Sequence, residues 1–228
     1  MNAMRKYAVI VAGGSGLRMG ADKPKQFLLL HGKPILWHTL NAFLTAFSDI
    51  SIKLVLPLNF INEGKQLVAL FNETDSIELV AGGATRFDSV KNGLKTIDAP
   101  GIVFVHDGVR CLVSKELIHR CYEQAIEKGS AIPAIAATDS IRIETEQQQQ
   151  YVVNRAQVKI IQTPQTFQTE ILLPAFDKEF QPEFTDEATV IESSGQQVFL
   201  IEGDYQNIKI TRPIDLFIAE QILQDKTN

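Results

Sequence analysis

The segment Ala12-Gly13-Gly14-Ser15-Gly16-Leu17-Arg18-Met19-Gly20 follows an apolar run, and its residue types and spacing suit phosphate chemistry. Glycines let successive backbone N–H groups turn inward with no Cβ in the way, and such a nest of donors binds phosphate oxygens. Glycine-rich turns are common, so the glycines alone carry little weight. Two familiar loops are excluded. A P-loop needs Lys and then Ser or Thr after its last glycine, and no such run occurs. A dinucleotide fingerprint starting at Gly14 needs glycine where Met19 stands. The distinctive feature is the cations that trail the glycines: Arg18, then Lys23 and Lys25 around Pro24. Singly, each is an ordinary surface charge. As a set behind a strand end, Arg18 and Lys25 suit neutralisation of a triphosphate and its transition state.

Three further sets recur at the ends of apolar runs. Gly82-Gly83-Ala84-Thr85-Arg86-Phe87-Asp88-Ser89-Val90 opens an amphipathic stretch, and its small residues permit close approach of a base or sugar. Ser89 is equally a plain first-turn helix residue, and Arg86 equally a salt-bridge partner. Val105-His106-Asp107-Gly108-Val109-Arg110 ends another run. A carboxylate there can hold Mg²⁺, which takes oxygen ligands and keeps water alongside substrate phosphates, and Arg110 can clamp a phosphate in fork geometry. A lone strand-end His is more often structural than catalytic, so His106 is given no role. The last set is C-terminal: Asn154-Arg155, Gln162-Thr163-Pro164-Gln165, Thr185-Asp186-Glu187 and Asn207-Ile208-Lys209-Ile210-Thr211. Thr185-Asp186-Glu187 also reads as a simple helix cap. Lys209 lies between apolar residues in a strand-like run, so its side chain should point opposite to theirs.

The elements that must position these residues alternate. Tyr7 to Ala12, Lys53 to Leu56, Ile77 to Val80 and Ile102 to His106 are short apolar runs of the kind found in buried parallel strands. Between them, Phe87, Val90, Leu94 and Ile97 recur at helical spacing after a candidate cap, Thr85, and Leu117, Ile118, Cys121, Tyr122, Ala125 and Ile126 do so after Ser114. Strand–helix alternation predicts a Rossmann-like, doubly wound α/β sheet, and ligands of such sheets sit beyond the carboxyl ends of the strands. One segment departs from this. Ser140 to Glu144 and Tyr151 to Asn154 flank the polar tip Thr145 to Gln150, which predicts a β-hairpin, either an ordinary surface hairpin or an arm that packs on a second subunit. No Pro/Gly/Ser-rich linker splits the chain, so residues 4–226 are expected to form one domain with an arm at about 139–155.

Composition narrows the class. The 228 residues carry a formal net charge of -5, which makes nucleic acid a poor first guess and leaves any anion to a few local cations. The two cysteines, Cys111 and Cys121, have no CxxC spacing, against a structural zinc or disulfide scaffold. No signal peptide is visible, and no apolar stretch reaches the roughly 18 residues of a membrane span. A cytoplasmic protein is expected.

Taken in order, these motifs resemble those of the 2-C-methyl-D-erythritol 4-phosphate cytidylyltransferases of the non-mevalonate isoprenoid pathway. The resemblance runs from about Tyr7 to Leu216 and rests on GGATRFDSVKNGL, VHDGVR, QTPQTF, FTDEA and NIKIT; the glycine loop alone marks only the wider nucleotidyltransferase superfamily. It implies a Rossmann-like fold whose β-arm builds a homodimer, with CTP on the glycine loop (Ala12, Gly13, Gly14, Ser15, Gly16) and Mg²⁺ bridging its phosphates. By the same resemblance Arg18 and Lys25 stabilise the pentacoordinate α-phosphate, Gly82 and Ser89 contact cytosine, and Asp107 lies near ribose, metal and substrate. Arg110, Arg155, Thr163, Thr185 and Lys209 match positions around the polyol phosphate acceptor, with Arg155 supplied across the dimer. The chain departs from the pattern at Gly108, Val109, Cys111 and Glu187, where the family usually has Ala, Ala, Pro and Asp, and Lys159-Ile160-Ile161 stands where a bulky aromatic is frequent. A ribitol-5-phosphate cytidylyltransferase, a sugar-1-phosphate nucleotidyltransferase and a nucleotide-binding regulatory module are the competing readings.

Overall fold

The computed structural model of the protein describes residues 4–13 and 24–227. Strand β1 (Arg5–Val11) is followed by the short pair β2 (Leu29–Leu30) and β3 (Lys33–Pro34), then α1 (Ile35–Ala46) and β4 (Ile50–Leu56). The alternation continues through α2 (Ile61–Val68), β5 (Ile77–Ala81), α3 (Arg86–Leu94), β6 (Gly101–Asp107), α4 (Lys115–Lys128) and β7 (Ser130–Ala136). The hairpin β8 (Ile141–Glu144) and β9 (Gln150–Val153) interrupts it. The chain ends with β10 (Lys159–Ile161), β11 (Gln165–Gln168), α5 (Thr169–Ala175), α6 (Glu187–Glu192), β12 (Leu200–Glu202) and α7 (Pro213–Thr227).

The main sheet runs β10-β7-β11-β6-β1-β4-β5, with β12 paired to β7. Strands β6, β1, β4 and β5 run parallel to one another, while β11 runs antiparallel between β6 and β7. The chain winds outward from β1 to β5, then returns to β6 on the other side of β1. The order therefore reverses between β1 and β6, whose ends Val11 and Asp107 are register partners. A doubly wound sheet opens its ligand crevice at such a reversal.

The strands are apolar on both sides because both sides are covered. Along β1, Ala8 and Ile10 pack with Leu36, Leu40 and Phe43 of α1 and Leu117 of α4, while Tyr7, Val9 and Val11 pack with Val90 and Leu94 of α3 and Leu172 of α5. Phe43, Phe104 and Phe167 are fully buried, and truncating one of them to Ala costs about 3–5 kcal/mol. The expected caps are in place: Thr85 and Asp88 form a capping box on α3, and the Ser114 hydroxyl accepts from Leu117 N–H on α4.

Two regions bear on function. The hairpin forms as expected, with Ile141 opposite Val153 and Ile143 opposite Tyr151. Among the described residues its strands pair only with each other, and Ile143, Tyr151 and Val152 are exposed. The segment Asn207–Thr211 corrects an expectation, because it forms no strand. It has instead a backbone anchor on the β6–α4 connection, Ile210 N–H donating to Val109 O at 3.0 Å. The alternation still holds: Ile208 and Ile210 pack with Leu30, Ile35 and Val109, while Lys209 turns the other way, onto Asp107.

Candidate active site

A cavity of about 430 Å³ opens at the β1/β6 reversal. The end of β1 supplies Ala12 and Gly13 to its wall, and the returning chain supplies Lys25. Gln26, almost fully buried, donates from Nε2 to Ala12 O at 2.8 Å and so ties that returning segment to the strand end. Lys25 Nζ donates to Ile210 O at 3.0 Å, which places its charge against the Asn207–Thr211 segment. Gly108 passes directly beneath. Its N–H donates to Val11 O at 2.9 Å, and a Cβ there would lie 2.9 Å from Ala12 Cβ.

The opposite wall is the turn into α3. Gly82 N–H donates to Leu56 O at 2.8 Å, which anchors the turn on β4. Gly83 N–H donates to Ser89 Oγ at 3.1 Å, and the Ser89 hydroxyl donates to Thr85 O at 2.9 Å. A Cβ on Gly83 would come within 2.2 Å of Asp88 Cβ, so no other residue fits this turn as built. The result is a smooth, small-residue wall that leaves room for a flat ligand group.

Asp107 ends β6 on the cavity floor, with three cations around it among the described residues. Lys209 Nζ lies 2.9 Å from Oδ2, Arg110 Nε 3.6 Å from Oδ2, and Arg86 Nε 3.4 Å from Oδ1. Burial alone would raise the Asp107 pKa; the charges of Arg86, Lys209 and Arg110 outweigh burial and hold it well below the usual carboxylate range. Arg86 also forks onto Glu187, which is buried: Nη1 meets Oε1 at 2.5 Å and Nη2 meets Oε2 at 3.2 Å.

Behind the floor runs a chain of hydrogen bonds. Asp107 N–H donates to Thr163 Oγ1 at 3.1 Å, Thr163 Oγ1 lies 3.0 Å from His106 Nδ1, and His106 Nε2 lies 3.1 Å from Arg110 O. A carbonyl only accepts, so Nε2 carries the proton and Nδ1 accepts from the threonine hydroxyl. Burial pushes the His106 pKa down to about 4, which keeps the ring neutral. Asn207, fully buried, closes the frame: its Nδ2 donates to Thr163 O at 2.8 Å and its backbone carbonyl accepts from Arg110 Nη1 at 2.8 Å.

Of the residues expected from the sequence, Ala12, Gly13, Lys25, Gly82, Ser89, Asp107 and Lys209 line one cavity, and Arg110 and Thr163 brace Asp107 from behind. Gly14, Ser15, Gly16 and Arg18 lie outside the described residues. Arg155 and Thr185 are exposed and are not part of the cavity wall; Arg155 Nη1 donates to Thr138 O at 2.6 Å at the foot of the hairpin. Sequence reasoning gave no site role to Arg86, Gln26, Asn207 or Glu187. Arg86, Asn207 and Glu187 sit inside motifs that could have drawn attention to them, Glu187 within a segment that also reads as a helix cap, and Gln26 carries no such signal.

A Gly-rich wall and a cationic cluster at the reversal of a parallel-dominated sheet are the fold and site of an α/β nucleotidyltransferase. A family model described as IspD, 2-C-methyl-D-erythritol 4-phosphate cytidylyltransferase, matches residues 6–225. A protein of that name from Bacteroides thetaiotaomicron is 46% identical over 220 residues, covering 96% of this chain and 100% of the relative. Another from Porphyromonas gingivalis is 45% identical, covering 96% of this chain and 98% of its own length. Among solved structures, 4-diphosphocytidyl-2C-methyl-D-erythritol synthase from Anaerococcus prevotii superposes with a TM-score of 0.83 at 29% identity, covering 97% of this chain and 99% of that one. The chain belongs to the 2-C-methyl-D-erythritol 4-phosphate cytidylyltransferase family.

Proposed function

We propose that the cavity at the β1/β6 reversal joins CTP to 2-C-methyl-D-erythritol 4-phosphate, with release of pyrophosphate. The observation that carries the site assignment is its charge. Among the described residues, Arg86, Arg110 and Lys209 surround Asp107, Arg86 also pairs with Glu187, and Lys25 lines the same cavity, four cations against two carboxylates. That excess of two positive charges suits a polyphosphate and a second phosphate brought together. Cytosine and ribose lie along Gly82, Gly83 and Ser89, the triphosphate along the loop that begins at Ala12 and Gly13, and the acceptor toward Asp107, Arg110, Thr163 and Lys209.

An acceptor phosphate oxygen attacks the α-phosphorus of CTP, a new P–O bond forms, and the bond to the β-phosphate oxygen breaks. The nucleophile is already ionised, so no general base is required, and catalysis rests on positioning and charge neutralisation. His106 fits this, because both ring nitrogens are engaged inside the protein. Lys25 and Arg18 act on the charge that builds on the transferring phosphate.

Mg²⁺ is the divalent ion in this reading. The donor set fits: Asp107 is an ionised oxygen ligand beside the cavity, and no cluster of three or more His, Cys, Asp or Glu occurs among the described residues. Mg²⁺ takes few protein ligands and completes its shell with phosphate oxygens and water. When bound it supplies neutralisation of the triphosphate. Chelation by EDTA should then abolish turnover, and added Mg²⁺ should restore it.

The hairpin belongs to the same reading as a dimer arm. A two-stranded hairpin is marginal alone in water, and Ile143, Tyr151 and Val152 are left exposed on it. A second copy of the arm gives a self-complementary cover, and Arg155 at its foot then serves the neighbouring site. A single domain over 4–226 and a cytoplasmic location complete the proposal. The relatives reported above carry the methylerythritol name, so ribitol 5-phosphate is not favoured as acceptor. Pyrophosphate release from CTP that depends on methylerythritol phosphate tests the assignment, and its absence with active, folded protein would overturn it.

A further inference from the structure

Arg86, the first residue of α3, reaches two carboxylates from elements far apart in sequence. Its guanidinium is seated on Glu187, at 2.5 and 3.2 Å, and only leans on Asp107, with Nε and Nη2 both 3.4 Å from Oδ1. Asp107 in turn keeps its close contact for Lys209, at 2.9 Å. The place of Glu187 is set by the scaffold. Gln165 on β11 accepts from Ala188 N–H at 2.9 Å and donates to Asp186 Oδ2 at 2.8 Å, which pins the start of α6. The Glu187 side chain is 1% exposed, against 32% for Arg86. A carboxylate so buried is held only against a fixed partner charge, so Arg86 is drawn to Glu187 and not the reverse.

We propose that Glu187 is a positioning residue for the acceptor end of the site: it holds Arg86 back from Asp107, so that Asp107 keeps Lys209 as its close partner. Without the Glu187 charge, Asp107 is the remaining carboxylate that Arg86 contacts among the described residues, and Arg86 settles on it and competes with Lys209. The inference rests on the reading of Asp107 and Lys209 as the acceptor end.

Steady-state kinetics of the full-length chain test it, with Glu187→Gln, Glu187→Asp, Arg86→Gln and the double variant Arg86→Gln/Glu187→Gln. Glu187→Gln should raise KM for methylerythritol phosphate at least tenfold and leave KM for CTP within twofold. Glu187→Asp keeps the charge and should recover most of that loss. If Glu187 acts through Arg86, the Gln substitution should add nothing in the Arg86→Gln background, since coupled residues are non-additive. The double variant replaces the buried ion pair by two amides. It therefore carries the test if Glu187→Gln alone does not fold. Wild-type KM for both substrates in Glu187→Gln would overturn the inference, as would equal rises for both, or a full additional loss in the double variant. Inactive wild-type protein with CTP and methylerythritol phosphate would count against the assigned reaction instead, so the two failures are distinguishable.

Discussion

Thr163→Val removes one hydroxyl and almost no volume. That hydroxyl accepts from Asp107 N–H at 3.1 Å and lies 3.0 Å from His106 Nδ1, and Thr163 is 5% exposed. The valine leaves one buried donor and one buried acceptor without a partner. Each such group costs about 1–3 kcal/mol, so the variant should lose about 2–6 kcal/mol. For a chain of this size each kcal/mol lowers Tm by about 2–4 °C, which makes a fall of about 4–24 °C the expected result in a thermal melt. Thr163→Ser keeps the hydroxyl and should lose about 1 kcal/mol, the worth of one buried methyl. The functional consequence follows from position: Asp107 loses a tie at its own N–H, so kcat/KM for the acceptor should fall further than binding of CTP. A Thr163→Val protein that melts within 1 °C of wild type, with unchanged acceptor kinetics, would refute the hydrogen-bond chain as the support of Asp107.

Lys25→Ala should lower kcat by at least roughly a hundredfold, the scale set by loss of one transition-state donor, while CTP affinity measured by titration changes far less. Stability should also fall in mild acid. His106 has its pKa pushed from 6.5 down to about 4 by burial, so between those values the unfolded chain binds the extra proton. The contribution is full above pH 6.5 and is lost as pH falls through 4. It amounts to about 3 kcal/mol over that window, and denaturant melts of wild type and His106→Gln should diverge in slope there. Arg155→Ala mixed with Lys25→Ala subunits should regain part of the activity if sites are shared across a dimer, because one site of each heterodimer escapes both defects. A mixture as inactive as its parents, despite demonstrated subunit exchange, would return Arg155 to its own subunit.

The sheet was legible where burial acts on both faces of a strand. Runs such as Tyr7–Ala12 and Ile102–His106 are continuous because helices cover both sides, and the observed strands β1 and β6 extend them by a residue or two. The extensions carry polar residues that no hydropathy pattern marks. Lys6 on β1 is nearly buried yet bridges to Asp49 at 2.7 Å. Strand β11 was illegible for a related reason. Gln165 and Thr166 are buried polar residues, and Gln165 fits the sheet because its amide bonds Asp186 and Ala188. Those partners lie some twenty residues downstream and leave no local periodicity. The Asn207–Thr211 segment misled in the other direction, since its alternation reflects one face on α7 and one on Asp107 with no strand beside it.

The same distinction separates the site residues that were legible from those that were not. Glycines, Lys25, Asp107 and Lys209 follow from chemistry that one motif can display. Arg86 and Glu187 do not, because their meaning lies in a contact between residues 101 positions apart. A buried ion pair is poor evidence of stability, since desolvation offsets most of its attraction. Its place on the cavity rim is better explained by what it does to Asp107. That carboxylate must stay ionised and loosely held beside phosphates that attract the same cations. Three cations keep it ionised, and the distances show only one of them close. If Asp107 were paired tightly with Arg86, Lys209 would lose its close partner at the point where two phosphates have to meet. The second carboxylate, fixed by Gln165 and withdrawn from the cavity, takes up that arginine instead and leaves the Lys209–Asp107 contact to meet the acceptor.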